Sequence, residues 1–272
     1  RARAFQSLFP NERDLGAKIT LQPKKGTRFD FIKLDGGFFA GNGINPEFDN
    51  RKDFIGHLGI AKANVAQTFK LGFGVSYYNG GVFQGTKYIY NPGTLTDGNK
   101  GYIVDSTSSN KNKFAKRQYM GADVQASLQS VIGITTVRAE YLTGKQPGSN
   151  ATNQSLATGT APATDTYNRN FAAGYIYLIQ NIGETKNQLV IKYDWYDPNT
   201  KVSGKEITAK NGTVKTFLTA SDIRFSTLGL GWNYRFNPQV KLTAYYEIVK
   251  NETTGITGAN LTNNYTKDLK DN

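Results

Sequence analysis

The sequence predicts an all-β chain, a transmembrane antiparallel up-and-down β-barrel with about ten strands in its 272 residues. Three observations carry that expectation. Apolar and polar residues alternate with a period of two in run after run. Most runs are roughly nine to twelve residues long, whereas an ordinary strand has about five or six and a tilted bilayer-crossing strand about nine to eleven. The connectors alternate strictly in length, short then long.

The elements follow in order. A run at 16–22 (GAKITLQ) ends at PKKGT (23–27), a turn set by Pro and Gly, and 29–40 returns from it. A long connector, 41–52, leads to runs 53–61 and 68–78, which flank the short 62–67. The longest connector, 79–117, precedes 118–128. QSVI (129–132) turns the chain into 133–143, and 144–169 is long again. Runs 170–180 and 187–196 flank NIGETK (181–186). After the long 197–224, the runs 225–235 and 240–249 flank FNPQ (236–239). In an up-and-down sheet this order gathers every short turn at one end and every long loop at the other, as outer-membrane barrels do. A soluble β-sandwich also alternates apolar and polar residues. It has no reason to sort its connections by length.

The two faces differ in chemistry. One reads Phe69, Leu71, Phe73, Val75 in one strand and Leu228, Leu230, Trp232 in another; the opposite faces read Lys70, Gly72, Gly74, Ser76 and Gly229, Gly231, Asn233. Tyr77, Trp195, Trp232, Tyr234 and Tyr246 collect toward the ends of the apolar face, where amphipathic rings suit a lipid headgroup girdle. The polar face is rich in Gly and Ser, as the inside of a cylinder requires.

Composition narrows the function classes. No stretch approaches the ~18 consecutive apolar residues of a helical span, a limit that does not apply to barrels. A single histidine, His57, and no cysteine give no metal site, and no cofactor is implied. No Ser–His–Asp set can be assembled, and GGVFQGTK (80–87) misses the spacing of a phosphate loop, so the chain is not expected to be an enzyme. A net charge of +12 with many aromatics raises nucleic acid as a partner. Here, however, the aromatics mostly oppose the lysines instead of sharing their face, and no nucleic-acid partner is expected.

The charge then suggests a channel lining. By parity Lys33, Lys70, Arg138, Lys192, Arg235 and Lys241 share the polar face and could bias it toward anions. Asp35, Asp123, Glu140, Asp194 and Glu247 lie on the same face and could neutralise them. Most of the positive charge therefore sits in loops, where it would meet lipopolysaccharide phosphates. The connector 79–117 carries Lys87, Lys100, Lys111, Lys113, Lys116 and Arg117, and is read either as a constriction loop or as a solvated cap.

Several segments also resemble a known family: FQSLFPNERDLGAKITLQPKKG (5–26), GNGIN (41–45), SYYNGGVFQGT (76–86), KYDWYDPNTKVSG (192–204) and LTAYYEIVKNET (242–253). Together they are similar to the porins of Bacteroidetes grouped with the phosphate-selective O/P type. The resemblance implies a barrel of about 16 to 18 strands in the bacterial outer membrane, often trimeric. It also implies passive diffusion of small hydrophilic solutes. On this view residues 1–272 are a single β-barrel domain corresponding to the C-terminal part of such a porin, without its first strands and its closing strand. That family's arginine ladder for phosphate is not evident. The implied partners are outer-membrane lipid and lipopolysaccharide, small anionic solutes, and further copies in a homotrimer or an outer-membrane complex. The alternative is a plugged structural or accessory barrel of such a complex.

Overall fold

The computed structural model describes residues 7–9, 13–156, 159–208 and 214–256, the side chains of 61–65 aside. The stretch NYTKDLKDN (264–272), which reads as loop in the sequence, lies within 257–272, outside the described residues. The chain is all-β, with strands β1 (Gly16–Leu21), β2 (Ile32–Phe39), β3 (Asp53–Ala66), β4 (Phe69–Phe83), β5 (Ile89–Thr94) and β6 (Lys100–Asp105). They are followed by β7 (Phe114–Ser130), β8 (Gly133–Gly148), β9 (Thr166–Asn181), β10 (Asn187–Asp197), β11 (Phe225–Arg235) and β12 (Lys241–Asn251).

Ten of these form the antiparallel up-and-down wall, in the order β1-β2-β3-β4-β7-β8-β9-β10-β11-β12. Among the described residues β1 and β12 each have one neighbour, so the wall is an open arc. The alternation of connectors is present as expected. The short ones are 22–31, 67–68, 131–132, 182–186 and 236–240, and the long ones 40–52, 84–113, 149–165 and 198–224. The tight turn at 131–132 depends on Gly133, whose φ of +108° places it where a side chain would be strained and where a Cβ would meet the Asn181 carbonyl at 2.2 Å.

Register fixes the faces. Phe73 lies opposite Val124, Val124 opposite Ala139, and Ala139 opposite Ile176, so the apolar residues of successive strands fall in rows. This apolar band stays open at most positions: Leu71, Phe73 and Leu230 are 36%, 47% and 46% exposed and Ile19 70%, while Phe54 and Trp195 are half-buried. On the other face side chains from strands two apart meet. Tyr119 of β7 and Phe171 of β9 have ring centroids 5.2 Å apart, and Lys192 of β10 reaches Glu247 of β12 at 2.7 Å. The wall therefore curves toward its polar face there, as a barrel wall does.

Several boundaries differ from the sequence expectation. The connector 144–169 shrinks to 149–165 because β8 and β9 run on. Residues 62–66, expected as turn, continue β3, with register shifts between Ile60 and Ala63 and between Asn64 and Ala66. Such bulges hide the alternation that marks a strand. Conversely, Phe29 and Phe31 lie in the turn before β2, where the Gly26 N–H donates to Asp30 and the Ile32 N–H to the Phe29 carbonyl. The connector 79–117 shrinks to 84–113, because β4 and β7 run on together to the pair Phe83–Phe114, and Lys116 and Arg117 are strand residues. Within it lies an unexpected hairpin, β5–β6, whose first strand also pairs parallel with the start of β9 at Ile89–Thr166 and Tyr90–Tyr167.

Candidate functional site

The polar face has two tiers. The tier toward the short turns is hydrophilic and hydrogen-bonded across strands. His57 Nδ1 and Ser76 Oγ lie 2.9 Å apart, Tyr175 donates to Glu140 at 2.8 Å, and Asn233 bridges from Gln188 (2.9 Å) to Thr243 (2.8 Å). These contacts hold the side chains against the wall and leave the face lined by polar atoms.

Its charges divide into paired and free groups. Lys192 is buried and doubly neutralised, with Nζ 2.8 Å from Asp194 and 2.7 Å from Glu247. Asp35 is shared by Lys18 (3.4 Å) and Lys33 (3.2 Å). Lys70, Arg138, Arg235 and Lys241 make no ion pair among the described residues. Lys70 is opposite Ser127, Arg138 lies between Gln125 and Tyr177, and Arg235 is opposite Lys241. The register thus places all six expected lining cations on one face. Lys33, Lys70, Arg235 and Lys241 stand near its short-turn end, at the starts of β2, β4 and β12 and the end of β11. Lys18, not singled out from sequence, joins them by its position opposite Gly37 in β1.

The tier toward the long loops is not polar. Tyr78, Tyr119, Leu142, Phe171, Ala173 and Tyr196 continue the register of the polar face yet pack as a buried cluster. The segment 7–9 fills it. Leu8 is fully buried in this cluster, and Phe9 stands edge-on to Tyr78 and Tyr119, with centroids 6.2 and 5.5 Å away. The buried Arg117 holds the segment in place. Its Nη2 donates to the Leu8 carbonyl at 3.0 Å, its Nε to the Tyr119 hydroxyl at 2.8 Å, and the guanidinium lies 4.9 Å from the Tyr78 ring centroid. The Ser155 N–H binds the Ser7 carbonyl. Sequence reading missed this element. Its one signal is a pair of large apolar residues, Leu8 and Phe9, standing outside any alternating run.

Beyond this layer the hairpin β5–β6 and the described residues of the loop 198–224 are tied together, with the Tyr102 N–H donating to the Thr216 carbonyl. Tyr90 stacks on Tyr167 with centroids 4.4 Å apart, and both pack with Tyr102, Ile207, Leu218 and Ile223. At the centre the buried Asp222 accepts from Arg169 Nε at 2.9 Å, from Asn199 Nδ2 at 2.9 Å, from the Thr219 N–H at 3.0 Å, and from the Tyr102 hydroxyl. Burial pushes the Tyr102 hydroxyl well above its ordinary value, so it stays protonated and donates. Of the expected constriction-loop residues, Lys100 lies on the hairpin and Lys87 just before it. Lys111 and Lys113 lie in the return to β7, and Lys116 and Arg117 are in β7 on opposite faces.

The expected interface aromatics all carry the parity of the apolar band. Tyr77 and Trp195 stand toward the loop side, with Tyr141 and Tyr193 near Trp195 at 6.4 and 6.2 Å, and Trp232 and Tyr234 stand toward the turn side. Tyr246 instead pairs with Leu230 in the middle of β11, away from either end. A concavity of about 980 Å³ is a trough mostly on the apolar face, lined among others by Gly36 and Gly56.

No protein-family model and no curated protein matches the chain. Among solved structures it matches a porin refined at 1.8 Å resolution, with 10% identity and a TM-score of 0.44 over 87% of this chain. The chain spans 56% of the length of that porin.

Proposed function

We propose that the chain forms part of the wall of a porin in the outer membrane of a Gram-negative bacterium, and passes small hydrophilic solutes by diffusion, anions by preference. The observation that carries the reading is one wall with two chemistries. An open apolar band edged by Tyr77, Trp195, Trp232 and Tyr234 suits lipid. Behind it lies a hydrophilic tier where Lys70, Arg138, Arg235 and Lys241 stand without carboxylate partners among the described residues, against Asp123 and Glu140 without cations. In a narrow aqueous passage with low-dielectric walls, such an excess raises the local concentration of anions. The resemblance of 192–204 and the other segments to phosphate-selective porins of Bacteroidetes supports phosphate among them. Residues 1–272 are read as a single barrel domain, completed to about 16 to 18 strands and to a homotrimer or larger outer-membrane assembly in the whole protein. No covalent step is involved.

The test is the zero-current potential of the full-length protein in a planar bilayer under a KCl gradient. A potential on the chloride side is expected. Replacing Lys70, Arg138, Arg235 and Lys241 together by Glu is expected to move it to the potassium side. Reversal of Lys192 alone is expected to cost stability instead, because Asp194 and Glu247 would lose their shared partner. A wild-type potential on the potassium side sinks the anion preference.

Deleting the hairpin 89–105 probes the mouth. It is tied to Tyr167 and Asp222 at the long-loop end of the wall, and on the channel reading its removal is expected to raise single-channel conductance. An unchanged conductance removes it as a constriction.

A second reading is favoured by one observation, the packing of Leu8 and Phe9 into the loop-side tier. A barrel closed there would be an accessory component of an outer-membrane complex and would not conduct. Inserted protein that shows no channels, with or without Leu8 and Phe9, would establish this reading over the first.

A further inference from the structure

We propose that a basic cleft on the lipid side of the wall, just beyond the loop-side edge of the apolar band, holds the phosphate groups of a lipid headgroup. The inference rests on the membrane reading above and adds a site to it. The band ends in register: Met120 is opposite Thr143 and Thr143 opposite Ala172, and the next outward row is Gln118, Lys145 and Asn170. From Leu128 to Met120 the band covers eight steps of β7, about 26 Å along the strand at ~3.3 Å per residue, and the ~40° tilt of a barrel strand turns this into roughly 20 Å of height, a little less than a barrel's ~25 Å apolar belt. The row of Lys145 thus lies where headgroups begin.

At that level there is a cavity of about 610 Å³ whose lining includes Lys100, Lys113, Lys116, Lys145 and Lys201 and no carboxylate. The lysines come from β6, the return to β7, β7 itself, β8 and the loop 198–224, so five separate parts of the fold converge on it. None of the five makes an ion pair among the described residues. Lys116 and Lys145 carry the outward parity of Met120 and Tyr141, and their faces cannot serve the passage on the other side of the wall. Five like charges around one cavity repel unless an anion shares it, and ammonium groups suit phosphate oxygens as point charges. A free anion would satisfy the charges alone. In register the row of Lys145 is the next one out from Met120 and Thr143, and on that face Met120 and Tyr141, 65% and 47% exposed, offer an apolar surface along which acyl chains can run. That continuity selects an amphiphile.

The test is native mass spectrometry of the full-length protein in detergent, titrated separately with bisphosphorylated lipid A, the same lipid without its phosphates, and inorganic phosphate. The phosphorylated lipid is expected to bind and the dephosphorylated one not. The pair Lys116→Gln and Lys145→Gln is expected to weaken binding about 30-fold, at about 1 kcal/mol per lysine near a lipid surface. Lys24→Gln with Lys25→Gln, in the turn at the other end, is expected to leave it unchanged. Equal binding of the two lipids, or an unaffected Lys116/Lys145 variant, overturns the proposal. Binding of inorganic phosphate without the lipid also overturns it, leaving a solution-anion site. Each outcome is independent of the zero-current potential: loss of lipid binding with intact anion preference sinks this site alone, and the reverse sinks the channel reading alone.

Discussion

Replacing Leu8 and Phe9 by Gly is expected to raise single-channel conductance to roughly twice its value or more, by removing the bulk that narrows the passage. The two side chains are the only part of the segment 7–9 that enters the aromatic layer of Tyr78, Tyr119, Phe171 and Tyr196. The backbone is held separately, by Arg117 on the Leu8 carbonyl and by Ser155 on Ser7. The substitution therefore empties the layer without deleting its strap. It also costs stability, about 2–5 kcal/mol for each large apolar side chain lost from a packed site. The cost is read as a lower temperature for loss of the folded, heat-modifiable electrophoretic form. A variant less stable but unchanged in conductance would show that Leu8 and Phe9 brace the wall without standing in the path.

Asp222→Ala is expected to be the most destabilising single change at the loop end, at about 3–5 kcal/mol, the range for stripping one partner from a buried ion pair. Arg169, 2% exposed, would keep its charge with no carboxylate in reach of its Nε, and Tyr102 and Asn199 would each lose an acceptor. The hairpin β5–β6 is tied to the rest partly through Tyr102, so it should loosen as well. Limited trypsin digestion is the readout, with new cleavage after Lys100 expected in the variant and not in the parent. Asp222→Asn, which keeps an acceptor oxygen but not the charge, is expected to fall between the two. Equal protease resistance of all three would show that the apolar contacts of Ile207, Leu218 and Ile223 hold the hairpin alone.

The wall was legible because its signal is local. Strand β11 follows its alternation residue for residue, and the apolar face expected of Leu228, Leu230 and Trp232 is the one the register shows. What escaped has physical reasons. β5 contains Pro92, which reads as a breaker, and it is tolerated because the hairpin is an accessory to the wall. Above the band β4, β7 and β9 carry Tyr78, Tyr119 and Phe171 on the polar side, so the contrast between the faces fades where the strands continue. The division of cations into free and neutralised was also invisible. Lys192 and Arg138 have the same parity and the same charge, and only the third dimension brings Glu247 to one of them. The segment 7–9 has no periodicity to find, and its partners are separated from it by more than a hundred residues in places.

That separation sets an order of assembly. The wall is built from neighbours in sequence, hairpin beside hairpin, and each pairing can form as soon as its two strands are present. The socket for Leu8 is different: it takes side chains from β4, β7, β8, β9 and β10, so it exists only once five strands stand in register. The first described segment of the chain is therefore among the last to find its place, and its docking reports that the arc up to β10 has been completed without a slip.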